Sequence, residues 1–111
     1  MTHRCHAHGC GTRVLSRLFM CPPHWRRVRP ELRAAIWREY RTGQERRKDP
    51  SLRYLAVASL AIAEVAFRPH DESAVGRAWR YLARAHWARA RAVAAGLGDP
   101  LEGLTTLEAP S

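Results

Sequence analysis

From Pro30 onward the apolar positions recur at helical spacing, and three helices follow from that pattern. The first opens at Pro30, a residue suited to a first helical turn, and runs to about Arg41. Leu32, Ala35, Ile36 and Tyr40 make its buried face, and Thr42-Gly43 stops it, with Gly43 just past the end. Asp49-Pro50-Ser51 predicts the start of a second helix, through a capping side chain and a proline near the first position. It reaches about Arg68, ahead of Pro69, and is apolar around most of its circumference. Arg53, Glu64 and Arg68 leave only a narrow polar strip, so it reads as a core helix or an oligomer seam. A homodimer through residues 50–68 is therefore expected. Asp71 or Ser73 caps the third helix, which extends to about Ala95 and ends at Gly96 and Gly98. At about 100° per residue, Val75, Trp79, Leu82, His86 and Val93 share one face of it. The default for His86 there is a core histidine with a local partner. Residues 99–111 carry no cation and read as a mobile tail.

The first 28 residues are built differently. All three cysteines and four of the six histidines lie within the first 24 positions. Cys5, Cys10, Cys21 and His24 read C-x4-C-x10-C-x2-H, and thiolate plus imidazole is the donor mixture zinc prefers in a tetrahedral cage. Gly9 and Gly11 flank Cys10 and allow a tight knuckle, and Cys21-Pro-Pro-His24 stands just before a helix. Cys5-x-x-His8 repeats the C-x-x-H spacing, so His8 could replace Cys10, and His3 and His6 are further candidates. Cys10 is preferred because thiolate holds zinc more firmly. Thiols without metal are the plain alternative. A structural ion fits better than a catalytic one, since the nearest carboxylate in sequence is Glu31 and nothing places it at the metal. Few large apolar groups accompany these donors, so metal binding would supply the folding free energy of this lobe. Leu15, Leu18, Phe19 and Trp25 would dock it on the helices.

A chain of 111 residues bounds the answer to one compact domain, and 46% hydrophobic residues provide a core. The longest apolar stretch, residues 54–67, is too short to span a bilayer and contains Ser59 and Glu64. No apolar signal segment opens the chain, and an odd number of cysteines cannot close into disulfides, so a reducing cytoplasm is expected. The formal charge is +9, and 18 of the 19 Lys and Arg residues are arginine, the other being Lys48. Part of that bias reflects a GC-rich coding sequence, yet the surplus still attracts phosphates or acidic protein surfaces.

Arginine is also patterned. Arg77, Arg80, Arg84 and Arg91 fall on one face of the third helix, flanked by Tyr81 and Trp87. Phosphate contacts with bases stacked alongside suit such a face. The plainer reading is a solvated face, with Trp87 packed on the second helix. Arg46, Arg47 and Lys48 make a second basic cluster, with Arg26, Arg27 and Arg29 behind the cysteines. Trp37, between Arg33 and Arg41, is expected to pack against its neighbours' stems. No helix-turn-helix signature appears, so binding would be mainly to backbone.

Cys5, Gly9-Cys10, Cys21-x-x-His24-Trp25, Tyr40-Arg41-x-Gly43-Gln44-Glu45 and Pro50-Ser51-x-x-Tyr54-Leu55 follow in that order. This string, over about residues 5–66, resembles a group of small uncharacterised proteins encoded by bacteriophages and prophages. The resemblance implies a phage-type origin and a metal site. Position 8 is often not histidine in that group, which favours Cys10 as ligand. Mobile-element proteins of this size are often regulators, nucleic-acid binders or inhibitors of host defence.

The expected protein is mostly α, with a zinc lobe over 1–28 (a Cys3His knuckle, treble-clef-like) packed on a three-helix body over 29–98. It is expected to be a non-enzymatic accessory protein of the bacterial cytoplasm, with structural Zn2+, that binds nucleic acid or a nucleoprotein complex. The alternative is a protein-interaction module, such as an anti-defence (anti-CRISPR-like) inhibitor or an adaptor acting on host machinery. No paired carboxylates, nucleophile–base spacing or phosphate loop speaks for an enzyme.

Overall fold

A computed structural model describes residues 2–41, 44, 50–67 and 70–104. Among these the chain is mostly helical, at 56% helix. Strands β1 (Thr2–Arg4) and β2 (Arg13–Leu15) pair antiparallel with His3 opposite Val14. A short helix α1 (Pro22–Trp25) follows, then α2 (Pro30–Glu39), α3 (Leu52–Ala66) and α4 (Glu72–Ala94). The hairpin and α1 are additions to the three helices that periodicity predicts. Three-residue strands and a single helical turn are too short to leave a period.

Local chemistry sets the helix ends. Pro30 occupies the first turn of α2, and Tyr40 turns to an extended conformation, so the helix ends at Glu39, two residues short of the expected Arg41. Thr42 and Gly43, the expected stop, lie outside the described residues. Ser51, rather than Asp49-Pro50, caps α3, with its hydroxyl accepting the Tyr54 N–H at 3.0 Å. Asp71 caps α4 and accepts from Ser73 and Ala74 at 3.0 and 3.2 Å. Gly96, at φ +76°, ends α4 with the two bonds of a Schellman turn: Leu97 N–H to Ala92 at 2.9 Å and Gly96 N–H to Val93 at 3.0 Å.

The α3–α4 pair is the largest contact between elements. α4 buries Ala74, Ala78, Leu82, Ala85, Ala88 and Ala92 against it. The buried face is therefore turned about a quarter of a circle from the expected one. Val75 is half-buried, Trp79 and Val93 stand 46% and 51% exposed, and His86 is half-buried on the flank rather than in the core. The reason is steric. α3 presents Ala56, Ala61 and Ala63 to the interior, and two helices meeting through alanine approach closely enough to exclude a tryptophan.

Every position of α3 is buried or half-buried, with Val57 and Leu60 fully enclosed. The homodimer seam expected on 50–68 thus loses its premise, because α2, α4 and the N-terminal lobe already share one core with this helix. Two arginine forks fix its polar strip. Arg29 grips Glu64 at 2.8 and 2.6 Å, and Arg53 grips Glu39 at 3.0 and 2.9 Å. The start of the expected tail is docked as well. Asp99 takes the Arg89 fork at 3.0 and 2.8 Å and accepts the Leu101 N–H at 2.9 Å, which seats Pro100 and Leu101 in the core. Residues 105–111 lie outside the description.

The lobe docks through Val14, Phe19 and Met20, with Leu18 and Trp25 at the edge. Leu15 instead points outward, at 47% exposed, because strand alternation turns Val14 in and Leu15 out. Trp37 meets Trp25 and Tyr40 edge-on at 6.3 and 5.7 Å. No helix among the described residues is long and apolar enough to cross a membrane.

Candidate metal centre

Two pieces of backbone bring the four donors together. The first is the knuckle joining β1 to β2. Cys5 leaves β1 with its N–H on the Thr12 carbonyl at 2.8 Å, and the Cys10 N–H closes a turn onto Ala7 at 3.1 Å. Gly9 makes that turn at φ +78°, a conformation that side chains resist. The second piece is α1. Cys21 is its N-cap, and His24 stands three residues on, so both side chains leave the same side of one turn. Pro22-Pro23 fills the first turn, where missing N–H groups carry no penalty.

The thiols of Cys5, Cys10 and Cys21 and a ring nitrogen of His24 all lie within 4.8 Å of one another. His24 Nδ1 is 3.2 Å from Cys21 Sγ and 3.6 Å from Cys5 Sγ. A tetrahedral zinc ion with ordinary bond lengths sets its sulfur and nitrogen donors about 3.5–3.8 Å apart. The donor set and its spacing therefore suit one such ion. All four donors come from the protein, two of them buried and two half-buried.

The thiols respond differently to their surroundings. Burial pushes Cys5 up to about 11, against the backbone N–H groups that stabilise its thiolate. One of those, from Cys21, lies 3.3 Å from the sulfur. Hydrogen bonds from Thr12 hold Cys10 below the usual thiol range. A divalent cation reverses the burial penalty by stabilising every thiolate at once. Glu31, the nearest carboxylate in sequence, faces Arg29 at 3.5 Å.

The other histidines lie outside the four-donor cluster. His8 reaches across to α4, where its Nδ1 is 3.3 Å from the Tyr81 hydroxyl. His3 spans the Arg4 and Leu18 carbonyls at 2.6 and 2.7 Å. His6 stacks on Phe19 with ring centres 4.8 Å apart, and burial lowers its pKa. The His8–Tyr81 contact joins residues 73 positions apart, and spacing gave no sign of it.

On α4 the arginine face points to solvent. Arg80, Arg84 and Arg91 are exposed and Arg77 is half-buried, 2.5 Å from the Ser73 hydroxyl. Arg84 lies over the Tyr81 ring at 5.3 Å and Arg91 over the Trp87 ring at 5.5 Å. Trp87 is 54% exposed and not packed on α3. Arg46, Arg47 and Lys48 lie outside the described residues.

Fold and site define a small, mostly helical protein with an N-terminal Cys3His cluster. No family profile, no curated protein and no solved structure matches this chain.

Proposed function

We propose that Cys5, Cys10, Cys21 and His24 hold a structural zinc ion, and that α4 binds the phosphate backbone of nucleic acid, free or within a nucleoprotein complex. In this reading the protein is a non-enzymatic accessory factor of the phage type, working in a bacterial cytoplasm where its thiols stay reduced. The supporting observation is the pairing on α4: Arg84 over Tyr81 and Arg91 over an exposed Trp87. A guanidinium resting on an aromatic plane keeps its outer N–H groups free for phosphate, and Trp87 offers a π-face beside it for an unpaired base. Zinc supplies no chemistry here beyond charge and tetrahedral geometry. The protein's own part is to hold the knuckle against α4, through His8 and Tyr81 among other contacts.

Fluorescence anisotropy with a labelled single strand and a labelled duplex tests this reading. Binding should fall steeply with salt. The double variant Arg80→Ala, Arg84→Ala should lower the log–log salt slope by about 1.5 for single strands and about 2 for duplex. If neither probe binds at low salt, the reading fails and an acidic protein surface becomes the target of this face.

A further inference from the structure

A third surface of α4 serves neither the core nor the arginine row. Gly76, Trp79, Ala83, His86, Ala90 and Val93 are spaced alternately by three and four residues, the repeat of a coiled-coil seam. Glu72, the first residue of α4, extends the same spacing at the other end and is exposed and charged, so the uncharged seam runs from Gly76 to Val93. Gly76, Ala83 and Ala90 are exposed, Trp79 and Val93 are about half exposed, and no seam position carries a formal charge.

Gly76 is the revealing residue. It lies in the interior of a 23-residue helix, where glycine is the poorest helix former after proline. A Cβ there would meet nothing within 4 Å, so nothing in the monomer's packing requires it. The missing side chain leaves an open hollow on this surface.

We infer that this seam pairs with a second copy of the chain, antiparallel about a two-fold axis near residues 84–85. The sizes along the seam decide the direction. In parallel pairing like meets like, so Trp79 would collide with its own copy while Gly76 and Ala83 faced holes. Antiparallel pairing sets Trp79 on Ala90 of the second copy, His86 on Ala83 and Val93 on Gly76. Every large side chain then meets a small one, and the helices can approach to the short end of the usual range, about 8 Å. An isologous contact of this kind closes on itself and stops at two copies. In this geometry the flanking positions on one edge face their own counterparts, which brings both arginine rows to the same side of the dimer. The pairing itself rests on the seam and stands whether or not that side binds nucleic acid.

The seam is short, about 26 Å from Gly76 to Val93, so association should depend on concentration. Sedimentation velocity over a dilution series of about three decades, starting near millimolar, is the test. The mass should rise from 12.6 kDa to twice that value, and raising the salt should not reverse it. Ala90→Glu should hold the protein at the monomer mass with its circular dichroism unchanged, because Ala90 is exposed in the single copy. Gly76→Leu should raise the monomer's melting temperature and weaken the dimer at least tenfold, since it fills free space in one and the seat of Val93 in the other. Arg84→Ala should leave the mass as in the parent. A parent chain that stays monomeric throughout, a dimer indifferent to Ala90→Glu, or an association lost in salt would each overturn the inference.

Discussion

The two halves of the molecule reach a fixed structure by opposite routes. The helical body excludes water largely with alanine: α3 and α4 enclose Ala56, Ala61, Ala85 and Ala88 completely. Small side chains lose little entropy and let backbones approach, so many weak contacts accumulate along the pair. The N-terminal lobe has no such surface. Two three-residue strands and one helical turn carry Val14, Phe19 and Met20 inward and little else of size. It brings four donors, far apart in sequence, within 4.8 Å of one another, and on the proposed zinc reading its order rests on them. The body should be robust to any one polar change and sensitive to volume. The lobe should be indifferent to volume at most sites and sensitive to a single atom at four.

The sharpest break between them is removal of the proposed ion. Chelation, or Cys21→Ser, should abolish zinc retention and remove stabilisation on the order of 10 kcal/mol from the lobe alone. Arg4, Arg13 and Arg17 should then become accessible to trypsin, while the helical circular dichroism of α2–α4 persists. Trp25, the neighbour of His24, should change its fluorescence in step with zinc loss. Complete unfolding of the helices on chelation would show that the body depends on the lobe, and the contrast would fail.

The reverse experiment attacks volume. Ala85→Leu places three extra carbons where no exposed surface exists, and should destabilise the body by about 1–3 kcal/mol. Thermal unfolding of the helices should move down, while bound zinc, measured by mass spectrometry, stays at one ion per chain.

The contrast also explains what could be read from the chain. The cap at Asp71 and the stop at Gly96 are local chemistry and were legible, while the cap of α3 fell on Ser51, past the expected Asp49-Pro50. The grouping of Cys5, Cys10, Cys21 and His24 was legible too, because they are donor types with few other uses in such spacing. The rotation of α4 was not. A wheel ranks faces by hydrophobicity, and Trp79 and Val93 outrank alanine on any scale. What decides the buried face is how near α3 can come, a property of two helices together. Asp99 misled for a similar reason. A cation-free segment looks mobile until Arg89, ten residues upstream, is seen to hold it. The His8–Tyr81 bridge depends on docking of lobe to body and has no signature in either.

Acid separates the two halves more gently. Hydrogen bonding to the Arg53 guanidinium, aided by Arg38, holds the Glu39 carboxyl below its ordinary value. A depressed carboxyl stabilises the fold above its unfolded value, and that contribution disappears as pH falls through the folded value. Arg53→Ala should therefore cost about 1–2 kcal/mol at pH 7 and progressively less below the ordinary glutamate range. Loss of the proposed ion would complicate an acid titration of the parent alone, because metal affinity falls as pH falls. Both proteins share that loss. Urea midpoints of parent and variant, compared at each pH, cancel it and leave the Glu39–Arg53 pair. If the difference between them stays constant down to pH 3, the fork at 3.0 and 2.9 Å contributes through Arg53's packing and its bond to the Leu97 carbonyl rather than through charge.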